Sequence, residues 1–253
     1  MTPVISFQLK DDAVALPDKV ANIGKSQGSV FGFVPEYFGL AGFQVGDHIV
    51  LCFTILEAHL LEADRQNLHK PIHPGAVIQA LKKHAPENAI ICSDVGDHTY
   101  WLYKRFVCEG QTTLLCANMA GMGFGIPAAV ACSFAEPGRR VIAVTGDGGF
   151  GMAGMEFTTA VHNRLLLTIV VFNDGKLKNI KKEMEEYGYP EYRVDFPNPD
   201  FARFASTAGG TGFYVEEPED LDEAFRKALA SSGPSLIDVR VDPDKYIEAI
   251  HRV

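Results

Sequence analysis

From about residue 72 onward, short apolar runs alternate with amphipathic stretches. Apolar runs rich in β-branched residues predict buried strands, and apolar residues at every third or fourth position predict helices. The predicted strands are 89–93, 113–117, 141–145, 166–172 and 235–241. The predicted helices are 74–85, 125–135, 155–163, 199–209 and 218–232. Strands that alternate with helices predict an α/β fold: a doubly wound, mostly parallel sheet with helices on both faces.

The first 70 residues lack this regular alternation. A strand is predicted over 48–54 and a helix-like stretch over 55–70, preceded by a glycine-rich segment without a clear pattern. We therefore divide the chain into an N-terminal extension and linker, residues 1–70, of unknown role, and an α/β domain, residues 71–253.

Composition and charge narrow the function classes. The chain is 47% apolar and 22% charged, with a net charge of -9, which is typical of a globular protein and argues against a nucleic-acid partner. No apolar run reaches the roughly 18 residues of a transmembrane segment, and the N-terminus lacks the features of a signal peptide. The five cysteines are Cys52, Cys92, Cys108, Cys116 and Cys132. Their odd number without a C-x-x-C pair predicts buried free thiols and a cytoplasmic location.

Chemically unusual loops follow four of the strands. Ligands of doubly wound sheets bind outside the carboxyl ends of the strands, so these loops are the candidate site. The loops read DVGDHTYW (94–101), NMAGMGFGIP (118–127), GDGGFGM (146–152) and NDGKL (173–177).

The loop 146–152 combines glycines with one acidic residue. Gly146, Gly148 and Gly149 let the backbone approach a ligand closely, and free N–H groups before a helix favour a phosphate. The carboxylate of Asp147 would repel that phosphate unless a divalent cation lay between them. Mg²⁺ fits this arrangement, since it binds one or two carboxylates together with phosphate oxygens.

Further oxygens for such a cation follow the next strand. The side chain of Asn173 and the backbone carbonyl of Gly175 are the candidates. Either Gly-Asp-Gly or Asn-Asp-Gly alone is most often a turn. Their occurrence at two strand ends, about 26 positions apart, matches the length of one strand–helix–strand unit and favours a common metal site.

These residues resemble a known family. Gly-Asp-Gly followed by Asn is similar to the thiamine-diphosphate-binding motif. From about Ile72 to Asp242 the chain resembles the C-terminal, diphosphate-binding domain of the pyruvate oxidase and acetolactate synthase family, nearest to pyruvate oxidases and quinone-linked pyruvate dehydrogenases. The resemblance is carried by DVGDHTYW, AGMGFGIPAA, EPGRRVIAVTGDGGFGMAGMEFTTAV, IVVFND, KKEMEEYG, NPDFARFA and GPSLIDVRV.

The resemblance implies a role for each matching position. Asp147, Asn173 and Gly175 would bind Mg²⁺. The diphosphate would meet Gly146, Gly148, Gly149, Gly96, Asp97 and His98. The backbone of Ala120 and Met122 would contact the pyrimidine, with the Met122 side chain holding the cofactor bent. Ile180 and Glu183 would lie near the substrate.

Three of these positions also have plain structural explanations. Met122 could belong to the core, His98 could cap a helix, and Glu183 could lie on a solvated helix face. The sequence also departs from the family: Asp174 replaces the commoner second Asn. Lys178 and Asn179 stand where relatives often have a small residue and a bulky apolar residue, so the resemblance does not identify the substrate.

The resemblance implies a thiamine-diphosphate- and Mg²⁺-dependent enzyme that decarboxylates a 2-keto acid such as pyruvate. The carbanion or enamine that results would be oxidised or condensed with an acceptor. Family members also contain a pyrimidine-binding domain, which supplies an activating glutamate, and a middle domain that often holds FAD. No segment here matches either domain. We therefore expect a homo-oligomer or a separate pyrimidine-binding subunit, and FAD only through a partner. The alternative is a non-catalytic or truncated cofactor-binding module.

Overall fold

The computed structural model describes residues 70–116 and 118–245. The strand predicted over 48–54 and nearly all of the helix-like stretch after it lie outside the described residues, as does Ala117 at the end of one predicted strand. The division of the chain at residue 70 therefore stays a prediction.

Six parallel strands form one sheet in the order β2-β1-β3-β4-β6-β5. The strands are β1 (Ile90–Ser93), β2 (Thr112–Leu115), β3 (Val141–Gly146), β4 (Leu167–Asn173), β5 (Thr211–Val215) and β6 (Ser235–Arg240). The central strands β1, β3, β4 and β6 are buried along almost their whole length, whereas the edge strands β2 and β5 are mostly exposed. The predicted parallel sheet is confirmed.

Helices cover both faces of this sheet. They are α1 (Pro74–His84), α2 (Asp97–Arg105), α3 (Gly125–Ala135), α4 (Asp147–Ala153), α5 (Glu156–His162), α6 (Lys178–Glu186), α7 (Phe201–Thr207) and α8 (Leu221–Ala230), with a short 3₁₀ helix at Pro218–Asp220. Successive residues of a strand point to opposite faces. Ile142 of β3 therefore packs in the core formed with α1, α2 and α8. Its neighbour Val141 packs in the core formed with α3, α5 and α7.

Two of the predicted strand-end loops are largely helical, which corrects the prediction. The segment 94–101 is helical from Asp97 onward, and 146–152 is helical from Asp147 onward. In both cases an acidic residue in the first turn complements the helix dipole. A large apolar side chain of the same turn or the next, Trp101 or Phe150, is buried and pins the helix to the sheet.

The edge strand β5 was not predicted. Its sequence, TGFYV, contains a glycine and only one fully buried side chain, Val215, so it lacks a long apolar run. Gly212 is required there because a Cβ at this position would lie 1.8 Å from the carbonyl oxygen of Ala202 in α7.

The described cysteines are free, but they are not all buried. Cys92 is buried, Cys116 and Cys132 are partly buried, and Cys108 is exposed in the loop after α2. The prediction of buried thiols is therefore wrong for Cys108, which lies outside the apolar strand and helix faces, and incomplete for two others. Cys52 lies outside the described residues. None of the helices described between residues 70 and 245 is long and apolar enough to cross a bilayer.

Candidate functional site

A cavity of about 290 Å³ opens where β1, β3 and β4 end and α2, α4 and α6 begin. Eleven of the thirteen predicted site residues line it: Gly96, Asp97, His98, Ala120, Met122, Gly146, Asp147, Gly148, Gly149, Ile180 and Glu183. Asn173 and Gly175 do not line the cavity. They lie behind Asp147. Gly175 donates its N–H to Asp147, and Asn198 bonds to both Asp147 and Asn173.

The register of the sheet brings the two motifs together. Gly146 at the end of β3 pairs with Phe172 in β4. Asp147 and Asn173 each follow one member of this pair, so they emerge at the same edge of the sheet. The predicted proximity of the two motifs is confirmed.

Asp147 is buried and accepts four hydrogen bonds. Its Oδ1 accepts the N–H of Gly148 at 2.7 Å, and its Oδ2 accepts those of Asp174 at 3.1 Å and Gly175 at 2.6 Å. The amide of Asn198 donates to the same Oδ2 at 2.6 Å. Burial raises the pKa of Asp147, while these four donors act in the opposite direction.

The orientation of the Asn173 amide is fixed from both ends. Its Nδ2 donates to Asp238 Oδ1 at 2.8 Å, and its Oδ1 accepts from Arg240 at 2.5 Å and from Asn198 at 2.9 Å. Burial raises the pKa of Asp238, against the hydrogen bond from Asn173. A carboxylate accepts and a guanidinium only donates, so the Asn173 oxygen must face away from Asp238.

Sequence reasoning missed Asn198. The segment that carries it runs antiparallel to the residues after β4: Leu177 N–H donates to Val194 O at 2.8 Å, and Phe196 N–H donates to Gly175 O at 3.0 Å. This pairing brings Asn198 beside Asp147. The stretch NPDFARFA carried family resemblance, but its asparagine has no local pattern that indicates a metal site.

The oxygen atoms at this end of the cavity fit Mg²⁺. A carboxylate, a side-chain amide oxygen and a backbone carbonyl are hard ligands of the kind that Mg²⁺ prefers. Within residues 70–116 and 118–245, no group of three His, Cys, Asp or Glu side chains is placed to hold a metal. Arg240 and Asn198 occupy both lone pairs of Asn173 Oδ1, so a cation that binds this oxygen must displace one of them.

His98 is buried in the cavity wall, and its Nε2 has no hydrogen-bond partner among the described residues. Burial lowers the pKa of His98 to about 4, against the opposing charges of Asp94 and Asp97. A buried ring nitrogen without a partner is unfavourable unless a ligand completes it. His98 does not cap α2, because Gly96 is the N-cap and Thr99 Oγ1 accepts the Gly96 N–H at 3.2 Å. The capping alternative is therefore wrong.

The glycines leave space that side chains would fill. A Cβ on Gly146 would lie 3.3 Å from the His98 ring, and one on Gly148 would lie 3.2 Å from Met122 Cε. A Cβ on Gly149 would lie 2.4 Å from Asp94 Oδ2, so this glycine is needed for packing as well as for ligand access.

Asp94 is a second residue that sequence reasoning missed. It is fully buried, and its Oδ1 accepts the N–H groups of Val95 at 2.8 Å, Gly123 at 2.9 Å and Phe124 at 3.2 Å. Its Oδ2 accepts from Thr145 Oγ1 at 2.9 Å. Asp94 thus ties the loop of Met122 to the ends of β1 and β3. Its place directly after a buried strand, like that of Asp147, was the available signal.

Lys178 is buried at the start of α6. Its ammonium group lies 3.0 Å from Asp97 Oδ2 and 3.8 Å from Asp174 Oδ2, and it donates to the carbonyl of Lys245 at 2.7 Å. Burial raises the pKa of Asp174 to about 7, and the charge of Asp147 adds to this effect. The departure from the family at position 178 therefore places a cation beside two carboxylates in the cavity wall.

The opposite wall of the cavity is open to solvent. Met122 is 36% exposed and Ile180 is 43% exposed, and Glu183 is also exposed at the mouth. Met122 is thus not a core residue, and that alternative is wrong. Glu183 both lies on a solvated helix face and lines the cavity. Ala120, in the same loop as Met122, has a φ of +47°, a strained conformation for a residue with a Cβ.

Several known proteins are similar to this chain in sequence or in fold. The family model described as "Thiamine pyrophosphate enzyme, C-terminal TPP binding domain" matches residues 94–239. The chain is 35% identical over 182 residues to YdaP of Bacillus subtilis, a protein provisionally named as thiamine pyrophosphate-containing; the match covers 72% of this chain and 32% of YdaP. It is 32% identical over 172 residues to an acetolactate synthase of Bacillus subtilis, covering 67% of this chain and 30% of the relative.

A solved structure is also similar. The thiamine diphosphate-dependent 4-hydroxybenzoylformate decarboxylase of Rhodococcus jostii RHA1 superposes with a TM-score of 0.64 at 27% identity. The match covers 70% of this chain and 34% of the decarboxylase. The chain therefore spans about a third of the length of the relatives that it matches.

Proposed function

Because the chain belongs to the thiamine pyrophosphate enzymes, through their C-terminal cofactor-binding domain, we propose that it binds thiamine diphosphate through Mg²⁺ and takes part in the decarboxylation of a 2-keto acid. One observation carries this proposal. Asp147 and Asn173 match the positions that bind the metal in the family. Asn198 donates to both of them, beside a cavity that is partly lined by glycines.

Each group of residues has a distinct task in this proposal. Asp147, Asn173 and the Gly175 carbonyl hold Mg²⁺, and Gly149 at the start of α4 offers its N–H to the diphosphate. The Gly148 N–H donates to Asp147 Oδ1 instead and so supports the metal ligand. The Nε2–H of His98 donates to a phosphate oxygen, which gives this nitrogen the hydrogen-bond partner that it lacks among the described residues. The bound cofactor supplies the electron sink that allows a 2-keto acid to lose CO₂.

A pyrimidine-binding chain completes the site in this proposal, either in a homo-oligomer or in a separate subunit. The supporting feature is an exposed methionine surface, made of Met119 and Met122 before α3 and Met152 in α4. The two parts adjoin, because a Cβ on Gly123 would lie 3.3 Å from Met152 Cβ. Exposed apolar side chains in this number favour a protein partner. That partner brings the activating glutamate, and FAD is possible only through such a partner.

The substrate end of the cavity is formed by α6. Asn179, Ile180 and Glu183 line it, with the buried Lys178 at its base. The relatives are named as acetolactate synthases and as a 4-hydroxybenzoylformate decarboxylase, which supports a 2-keto acid, and we propose one like pyruvate. The product of decarboxylation is then oxidised or condensed with an acceptor. The exposed free thiol of Cys108 favours a reducing compartment, and we place the protein in the cytoplasm.

A non-catalytic cofactor-binding module is the second candidate. The exposure of Met122 and Ile180 favours it, since this chain alone leaves the reactive side of the cavity open to water. In that case the chain binds the cofactor or a partner without turnover.

Calorimetric titration of the purified chain with thiamine diphosphate, first with Mg²⁺ and then with EDTA, tests the proposal. We expect binding that requires Mg²⁺ and disappears with EDTA. Binding that is absent under both conditions, even with co-purified partners, would contradict the proposed function. Turnover of pyruvate by the chain, alone or with its partner, would exclude the non-catalytic module.

A further inference from the structure

Asn198 touches both of the side chains that would bind the metal. Its Nδ2 lies 2.6 Å from Asp147 Oδ2 and 2.9 Å from Asn173 Oδ1. A side-chain amide carries two N–H groups, so one nitrogen can serve both acceptors at once. Asn198 is the direct side-chain link between two ligands that come from different strands.

The two oxygens of Asp147 are used unequally. Among the residues that the structure describes, Oδ2 accepts three N–H groups, from Asp174, Gly175 and Asn198, whereas Oδ1 accepts only that of Gly148. A carboxylate oxygen offers about two lone-pair sites. Oδ2 therefore has no acceptor capacity left for a cation, and Oδ1 does. The N–H groups of Asp174 and Gly175 already fill these two sites, and Asn198 adds a third donor that holds the carboxylate in this orientation.

The backbone around Asn198 is held in place. Pro197 and Pro199 flank it, and each proline ring fixes its own φ and restricts the residue before it. Phe196, which precedes Pro197, donates its N–H to the carbonyl of Gly175, a further member of the proposed metal site. The side chain thus reaches the two ligands from a rigid position.

We propose that Asn198 is a positioning residue for the divalent cation. It binds Asp147 through Oδ2, the oxygen that the metal does not use, and it keeps its bond to Asn173 Oδ1 while the cation takes the lone pair that Arg240 occupies. This inference rests on the proposed function, since it assumes that the cation binds at Asp147 and Asn173. Residues of this kind, which orient a metal's ligands, typically change metal affinity 10- to 100-fold when they are removed.

Mn²⁺ is the probe for the test, followed by electron paramagnetic resonance on the full chain with and without thiamine diphosphate. We expect Asn198→Ala to raise the Kd for Mn²⁺ by about tenfold or more. Asn198→Ser, which keeps one donor, should give an intermediate Kd. Asn163→Ala is the matched control: this amide donates to Thr159 O at 2.8 Å at the end of α5, so its loss should leave the Kd unchanged.

Water proton relaxation of the bound Mn²⁺ separates positioning from direct ligation. A positioning residue can be lost without adding a coordinated water, whereas the loss of a ligand adds one. Weaker binding with an unchanged water count and an unchanged melting temperature would support the proposal. An unchanged or lower Kd, or one additional water, would overturn it. If wild-type chain binds no Mn²⁺ even with the cofactor, the proposed function itself fails.

Discussion

The two ends of the cavity differ in how completely this chain builds them. At the end that we propose to bind the metal, called the metal end below, Asp147 is buried and accepts four N–H groups, and the Asn173 amide is held at both its nitrogen and its oxygen. At the other end, Met122 and Ile180 face solvent. The metal end is thus preorganised before any ligand binds, whereas the apolar end gains its dry surroundings only when another surface covers it.

This contrast has an energetic consequence for the cofactor. Apart from the displacement of one partner of Asn173 Oδ1, these polar groups need little further ordering, so affinity for Mg²⁺ and the diphosphate should be a property of this chain. Apolar contacts contribute in proportion to the area removed from water, so the ring end of the cofactor should contribute little until a partner is bound. Four substitutions would break or sharpen the comparison.

The largest effect is expected at the metal end. Asp147→Ala removes the one buried carboxylate that links the start of α4 to the loop after β4. We expect Mg²⁺-dependent binding of thiamine diphosphate to weaken by more than about 100-fold, because a charged ligand of the metal is lost. Calorimetry with and without EDTA measures this. Asp244→Ala, at an exposed position, is the control, and equal affinities in the two variants would contradict the assigned metal site.

The next effect tests how tightly the metal end is packed. Gly149→Ala places a Cβ about 2.4 Å from Asp94 Oδ2. We expect the free energy of unfolding to fall by about 2–3 kcal/mol, as for other overpacked positions. Gly151→Ala in the same helix meets open space and should be neutral or stabilising by up to about 1 kcal/mol. Urea unfolding compares the pair, and similar stabilities would show that the Asp94 contact is not restrictive.

The buried His98 should make stability depend on pH. The pKa of this ring is lowered from 6.5 to about 4 by burial, so the unfolded chain binds the proton more readily than the folded chain does. Stability is therefore complete above about pH 6.5 and falls as the pH drops toward 4, by about 3 kcal/mol. His98→Gln should flatten this part of the profile. The same slope in the variant would assign the effect to other groups.

The smallest effect is expected at the open end. Met122→Ala should change the free energy of unfolding by less than about 0.5 kcal/mol, because the side chain is partly solvated. Once the partner covers this end of the cavity, the substitution should weaken the binding of thiamine diphosphate about fivefold, through the loss of about 1 kcal/mol of apolar contact. Leu114→Ala serves as the control, because Leu114 is 39% exposed in β2 and lies outside both the cavity and the methionine surface. A fall in the free energy of unfolding as large as that of Gly149→Ala would show that Met122 is a core residue.

The sequence was sufficient for features whose cause is local. Asp147 and Asn173 each follow a strongly apolar strand, so their position at one edge of a parallel sheet could be predicted from spacing alone. Helix α3 begins and ends as predicted, since its small apolar residues give an uninterrupted pattern. The family resemblance supplied the roles of Gly96, His98 and Met122, and the cavity brings these residues together.

Other parts depend on tertiary pairing that no local pattern encodes. Asn198 reaches the site only because its segment pairs with the residues after β4, and Asp238 orients Asn173 only through the contact of β6 with β4. Strand β5 escaped prediction because an edge strand needs no long apolar run. The helical starts at Asp97 and Asp147 were mistaken for loops because glycines beside an acidic residue are also typical of turns.

The position of β6 has a consequence for the order of folding. This strand lies between β4 and β5, yet it follows both of them in the chain, and it carries Asp238 and Arg240 to Asn173. Parallel strands that are distant in sequence pair late, since a long loop must close before they meet. During synthesis the Asn173 amide therefore lacks its hydrogen bonds to Asp238 and Arg240 until residues 235–240 have left the ribosome. A nascent chain that does not yet include β6 should form its helices and its first strands. Its proposed metal site should not yet be able to bind a cation.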